Sequence, residues 1–229
     1  MSHTTPIVYV VDDDISVRKS LELLIDSEGW QPATFASAQD FLACPRAVAP
    51  SCLILDVTLP DLNGLELQRR IATDRIDMPI IFISGYGDVP TTVRAMKAGA
   101  LEFLTKPFDD EVLLDAVRHA IERSHIAHDQ NAAMQALRDR YVLLSRREQE
   151  VMALVAAGLL NKQIGGELGI SEITVKAHRG KVMRKMKAHS LAGLLNMAAR
   201  LGLAARIVGA EMNSHQPRAY DRAGSSLLL

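Results

Sequence analysis

Three runs in the first half of the chain, Ile7-Val-Tyr-Val-Val11, Cys52-Leu-Ile-Leu55 and Ile80-Ile-Phe-Ile83, are continuous, apolar and rich in β-branched residues. Strands of that kind need cover on both faces, and a parallel sheet flanked by helices provides it. Amphipathic segments between them predict helices over Ile15–Glu28, Ala38–Leu42, Leu65–Thr73, Pro90–Ala98 and from Asp109 onward. Weaker strand patterns at Gln31–Phe35 and Leu101–Thr105 raise the strand count to five in an alternating βα order. The implied fold of residues 5–125 is α/β, a flavodoxin-like (βα)5 unit.

From Glu111 to Tyr141 there is no Pro and no Gly, and Val112, Leu113, Ala116, Val117, Ala120 and Ile121 recur at helical spacing. That stretch predicts one long helix, or two, with residues 126–143 as a helical linker. An all-helical region then opens at Ser145-Arg-Arg-Glu148, a capping-box pattern. Helices predicted over Arg146–Ala157, Asn161–Leu168, Glu172–Met186 and Leu191–Leu201 make residues 144–208 an all-α four-helix domain. Residues 209–229 are polar and aperiodic and are read as a disordered tail.

The net charge of −1 hides an asymmetry: residues 1–125 carry 11 Lys and Arg against 19 Asp and Glu, whereas residues 142–208 carry 11 against 4. An acidic front half and a basic back half imply different partners, with nucleic acid the usual partner of the basic one. Cys44 and Cys52 lack the spacing of a zinc site and make no disulfide scaffold, and Cys52 is read as core. No apolar run reaches the roughly 18 residues of a membrane span, and Met1–Pro6 has no signal-peptide pattern, so the expected location is cytoplasmic with no membrane partner.

Asp12, Asp13 and Asp14 follow the first strand directly and Asp56 ends the third. In the strand order 2-1-3-4-5 the ligand crevice lies where the order reverses, between strands one and three, which would bring the two acidic sets together. Crowded carboxylates repel unless a cation joins them, and Mg²⁺, a hard ion that keeps several waters, suits an open site shared with a phosphate. Val11-Asp-Asp-Asp14, Asp56, Ser84-Gly85 and Lys106-Pro107, each at a strand end, resemble the receiver domain of response regulators. The resemblance implies that Asp56 accepts a phosphoryl group from the phosphohistidine of a cognate histidine kinase. It further implies that Asp13 and Asp56 bind Mg²⁺ directly, Asp12 through water and Thr58 through its carbonyl, and that a cis Lys106-Pro107 bond aims the lysine into the pocket. An ammonium there would neutralise charge spreading over the transferring oxygens. Ser84 and Phe103 match the family's switch pair. The chain would perform only its own phosphotransfer. An aspartyl phosphatase is the competing enzyme reading, but such enzymes place a second acid two residues after the nucleophile, where this chain has Thr58.

In the basic half, Gly169-Ile-Ser171 separates two predicted helices as a helix-turn-helix would, and the second carries Lys176, Arg179, Lys181, Arg184 and Lys185. Leu144-Ser-Arg-Arg-Glu-Gln-Glu-Val151, Asn161-Lys-Gln-Ile164 and Thr174-Val-Lys-Ala-His178 resemble the LuxR-type DNA-binding domain, and the whole chain is similar to FixJ-like response regulators. The resemblance implies that Lys176 reaches base edges of double-stranded DNA and that Thr174, His178, Arg179 and Lys185 contact phosphate or orient the helix. Lys162, Ala177 and Lys181 complete the DNA-facing set. The last helix, with Leu191, Leu194 and Leu195, would serve dimer contacts. Gly165 and Gly166 depart from the family pattern of small helix formers, and each is expected to weaken its helix by roughly 1 kcal/mol relative to Ala. Phosphorylation is expected to repack a face around Arg94, Met96, Lys97, Glu102 and Asp110. That repacking would drive homodimerisation or free an occluded DNA-binding domain, and RNA polymerase is a further candidate partner.

Overall fold

The computed structural model describes residues 4–45, 47–72, 77–85 and 88–203. Two compact units divide between Asn131 and Ala132. The first is built from β1 (Ile7–Val11), α1 (Ile15–Ser27), β2 (Gln31–Phe35), α2 (Ala38–Ala43), β3 (Ser51–Asp56), α3 (Gly64–Ile71), β4 (Ile80–Ser84), α4 (Val89–Lys97), β5 (Glu102–Thr105) and the start of α5 (Asp110–Val142). The five strands are parallel in the order β2-β1-β3-β4-β5. The long helix predicted after the sheet is a single one. The expected end of the third helix at Thr73 lies outside the described residues.

Alternation along each strand divides the core between the two faces of the sheet. Tyr9, Val11, Leu53, Leu55 and Phe82 pack with Phe41, Leu67 and Ala95 on one face. Val8, Val10, Cys52, Ile54, Ile81 and Ile83 pack with Leu21, Ile25, Leu113 and Val117 on the other. Cys52 is fully buried, as predicted, and burial pushes its thiol pKa up. The helices start where the chain supplies a side-chain oxygen for their free N–H groups. Asp14, Ser37, Asn63 and Asp88 cap α1, α2, α3 and α4, and Asp61 also accepts from the N–H groups of Ala38 and Gln39.

The second unit contains α6 (Arg146–Ala156), α7 (Asn161–Leu168), α8 (Glu172–Met186) and α9 (Leu191–Arg200). Its core joins Val151, Met152, Ile164, Val175, Val182, Met186, Leu194 and Ala198. Leu137 of α5 is buried in that same core, with Met134 and Tyr141 packed against it. Leu194, predicted to face a partner, is buried here because its side of α9 closes this core, whereas Leu191 and Leu195 are exposed.

The two helix-turn-helix glycines differ in kind. A Cβ on Gly165 would stand 2.7 Å from the Ile170 carbonyl oxygen, because the turn folds back until Ile170 N–H donates to the Gly165 carbonyl. Gly165 is thus required by a close backbone approach and is no mere loss of helix propensity, whereas a Cβ on Gly166 would meet open space. Gly169 closes α7 in the left-handed region at φ 64°. Gly166→Ala is therefore expected to stabilise this unit by about 1 kcal/mol. Gly165→Ala should destabilise it, and chemical denaturation monitored by amide exchange in α7 and α8 distinguishes the two outcomes.

Candidate functional site

The register of the sheet assembles the first site. Val11 pairs with Leu55, Asp56 with Ile83 and Ser84 with Thr105, so Asp12, Asp56, Ser84 and Lys106 reach one edge of the sheet at successive strand ends. Asp12 and Ser84 are fully buried and Asp56 nearly so, while Asp13 is exposed beside them. One carboxylate oxygen from each of Asp12, Asp13 and Asp56 lies within 4.8 Å of the others. The Lys106 Nζ donates to Asp12 Oδ2 at 2.6 Å and to Asp56 Oδ2 at 2.7 Å. The Lys106-Pro107 bond is cis, as the resemblance implies.

Backbone groups complete the pocket. Asp56 Oδ1 accepts from the Thr58 N–H at 2.8 Å, and Asp12 Oδ1 accepts from the Asp14 N–H at 2.9 Å. Burial pushes the Asp12 carboxyl above its ordinary pKa, more strongly than the bonds from Lys106 and the Asp14 N–H lower it, and the Asp56 charge adds to the rise. Burial works against the Lys106 ammonium, but its bonds to Asp12 and Asp56 outweigh that and hold its pKa above the usual lysine value. Phe103 is half-buried and stacks on Phe82, ring centroids 6.1 Å apart.

Two contributors to this pocket are not singled out by the sequence. A Cβ on Gly64 would stand 2.4 Å from the Asp56 carbonyl oxygen, so the chain returns against the end of β3 only because residue 64 is glycine. Arg18 donates to the Asp12 carbonyl at 2.7 Å and anchors the end of β1. In the sequence, Gly64 signals only a turn and Arg18 a solvated helix face.

The second site is the outer face of α8. Ser171 caps the helix by accepting from the Thr174 N–H, and Val175, Val182 and Met186 bury the inner face. Lys162, Lys176, Ala177 and Lys181 are exposed, and Thr174 and His178 are half-buried. Arg179 and Lys185 are engaged inside the unit: Arg179 donates to Asn161 Oδ1 at 2.6 Å, and Lys185 donates to Glu148 Oε2 at 2.6 Å and to the Leu143 carbonyl. Glu148 is buried and also accepts from the Ser145 N–H. The capping-box pattern announces its bond to Ser145. Its tie to Lys185, 37 residues away, has no local signal.

A parallel sheet with carboxylates and a lysine at its switch point, followed by a helix-turn-helix unit, is the plan of a signalling regulator with a DNA-binding output. Residues 8–118 match the family described as the response regulator receiver domain, and residues 142–198 match bacterial regulatory proteins of the luxR family. The chain is 51% identical over 202 residues to nodulation protein W of Bradyrhizobium diazoefficiens, covering 88% of this chain and 89% of that protein. It is 43% identical over 191 residues to the transcriptional regulatory protein FixJ of Rhizobium meliloti, covering 83% and 94%. Among solved structures it resembles the response regulator StyR, with 43% identity and a TM-score of 0.77 over 86% of this chain and all of that one. The chain belongs to the two-component response regulators of the FixJ type, a receiver domain followed by a LuxR-family DNA-binding domain. Among the described residues no helix is long and apolar enough to cross a membrane.

The buried Glu148 gives the second unit an acid dependence. Its hydrogen bond from Lys185 holds its carboxyl below the ordinary value of 4.5. A depressed folded pKa contributes stability that is complete above the unfolded value and is lost as pH falls through the folded one. Unfolding free energy of the second unit is therefore expected to be lost progressively below pH 4.5. Lys185→Met, which leaves the buried carboxylate without its cation, should cost on the order of 2 kcal/mol at neutral pH. Protection of amides 145–186 measured across pH in both proteins checks this.

Proposed function

We propose that this chain takes a phosphoryl group onto Asp56 from a histidine kinase and that this modification controls its binding to double-stranded DNA. The observation that carries the reading is the Lys106 ammonium held between the Asp12 and Asp56 carboxylates at the end of the sheet. In the transfer, an Asp56 carboxylate oxygen attacks phosphorus while the bond from phosphorus to the histidine nitrogen breaks, and the imidazole leaves with that electron pair. Lys106 neutralises charge on the transferring oxygens, and the Thr58 N–H steadies the other oxygen of Asp56.

The donor set fits a divalent ion. Three carboxylates offer hard oxygens within 4.8 Å of one another. Asp13 and Asp56 would hold Mg²⁺ directly, Asp12 through water and Thr58 through its carbonyl. The ion supplies charge neutralisation for the phosphoryl group.

Ser84 then donates to the phosphoryl oxygens, and Phe103 turns inward, coupling the pocket to the surface of α4, β5 and α5 around Arg94, Met96, Lys97, Glu102 and Asp110. Met96 and Val93 are exposed apolar residues on α4, which favours pairing of two receivers there over release of an occluded domain. On DNA, Lys176 reads base edges, while Lys162, Thr174, Ala177, His178 and Lys181 flank it. Arg179 and Lys185 orient the helix through Asn161 and Glu148. Leu137, in the stretch read as a linker, packs in the core of the DNA-binding unit. A cytoplasmic location and contact with RNA polymerase complete the proposal.

Asp56→Asn is expected to abolish phosphate incorporation from acetyl phosphate, and retained incorporation overturns the assignment. Sizing by light scattering with and without beryllofluoride should show a beryllofluoride-dependent dimer for the parent chain and a monomer for the variant. A monomer under both conditions rules out pairing.

A further inference from the structure

Helix α8 presents its outermost ridge as Ile173, Ala177, Gly180 and Arg184, spaced four, three and four residues apart and all exposed. The ridge lies opposite Val175, Val182 and Met186, which bury the inner face. Cations flank it on both sides: Lys176 on one and Lys181 on the other, both exposed. Its first residue stands out. Ile173 is 80% exposed in the first turn of α8, among the most exposed large apolar side chains of the described residues, and it packs in no core cluster.

An exposed β-branched side chain one turn from Lys176 contributes nothing to the core, since burying an Ile contributes about 1.5–3 kcal/mol and exposing it forgoes that. The net positive charge of α8, which carries Lys176, Arg179, Lys181, Arg184 and Lys185 against Glu172, argues for a polyanion as the covering surface. The DNA major groove offers one apolar feature, the C5-methyl of thymine, and apolar side chains recognise it by contact. Gly180, two turns along the ridge and with no side chain, lets the helix backbone approach the groove closely. The Glu172–Lys176 pair, 3.3 Å apart and exposed, is weak enough to be exchanged for contacts with DNA.

We infer that Ile173 is a specificity-determining residue that packs on a thymine methyl group in the major groove, beside the base contacted by Lys176. The inference rests on the DNA-binding reading above and adds to it one base identity within each half-site, set by apolar contact and not by hydrogen bonding.

The test selects duplexes from a random library with the full-length chain treated with beryllofluoride at fixed salt, then replaces each thymine of the recovered half-site singly with deoxyuridine, which deletes only the methyl. One replacement is expected to weaken binding about fourfold, the equivalent of about 0.8 kcal/mol for one methyl group. Ile173→Ala should lose that discrimination, binding the thymine and uracil duplexes equally, while Lys176→Ala retains it. Ile173 is exposed, so the variant's thermal unfolding should match the parent's. A half-site without such a thymine, or a uracil penalty that survives Ile173→Ala, overturns the inference while leaving DNA binding intact. Failure to enrich any duplex overturns both.

Discussion

The Lys106 ammonium shared by Asp12 and Asp56 is the interaction on which the first unit's chemistry depends. Two carboxylates at neighbouring strand ends repel each other, and burial penalises their charge further. A lysine arriving from the far edge of the sheet, with its backbone N–H bonded to the Ser84 carbonyl, makes the crowding tolerable without filling the pocket mouth where Asp13 lies.

The second unit uses a part-buried ion pair differently. Glu148 and Lys185 join the N-terminus of α6 to the C-terminal half of α8, and Arg179 ties α8 to Asn161 at the start of α7. Cations counted toward a DNA-binding surface by charge alone are thus divided. Some hold the helix in place, and Lys176, Lys181 and Arg184 remain outside for a partner. The distinction matters for reading substitutions, since loss of an orienting cation affects folding as well as binding.

Much of this was legible in the amino-acid order because the relevant signals are local. Apolar runs covered on both faces announce parallel strands, and acids placed directly after them announce the edge at which they meet. The periodicity of α5 predicted one long helix or two, and the Gly169-Ile-Ser171 break predicted the helix-turn-helix. Less legible was anything requiring two distant backbones to approach. Gly64 against the Asp56 carbonyl and Gly165 against the Ile170 carbonyl look like ordinary turn or helix glycines until the chain is folded.

By itself, then, the sequence determined the strands and helices, the residue types at each strand end and the division into an acidic and a basic half. These follow from side-chain hydropathy and charge, which act along the chain. Only the tertiary structure decided that Arg179 and Lys185 are engaged inside the second unit, that Leu137 belongs to its core, that Leu194 is internal and that Ile173 is left outside. Those outcomes depend on which surfaces meet across long separations, and helical periodicity alone cannot distinguish a side chain turned toward a neighbouring helix from one turned toward a partner molecule.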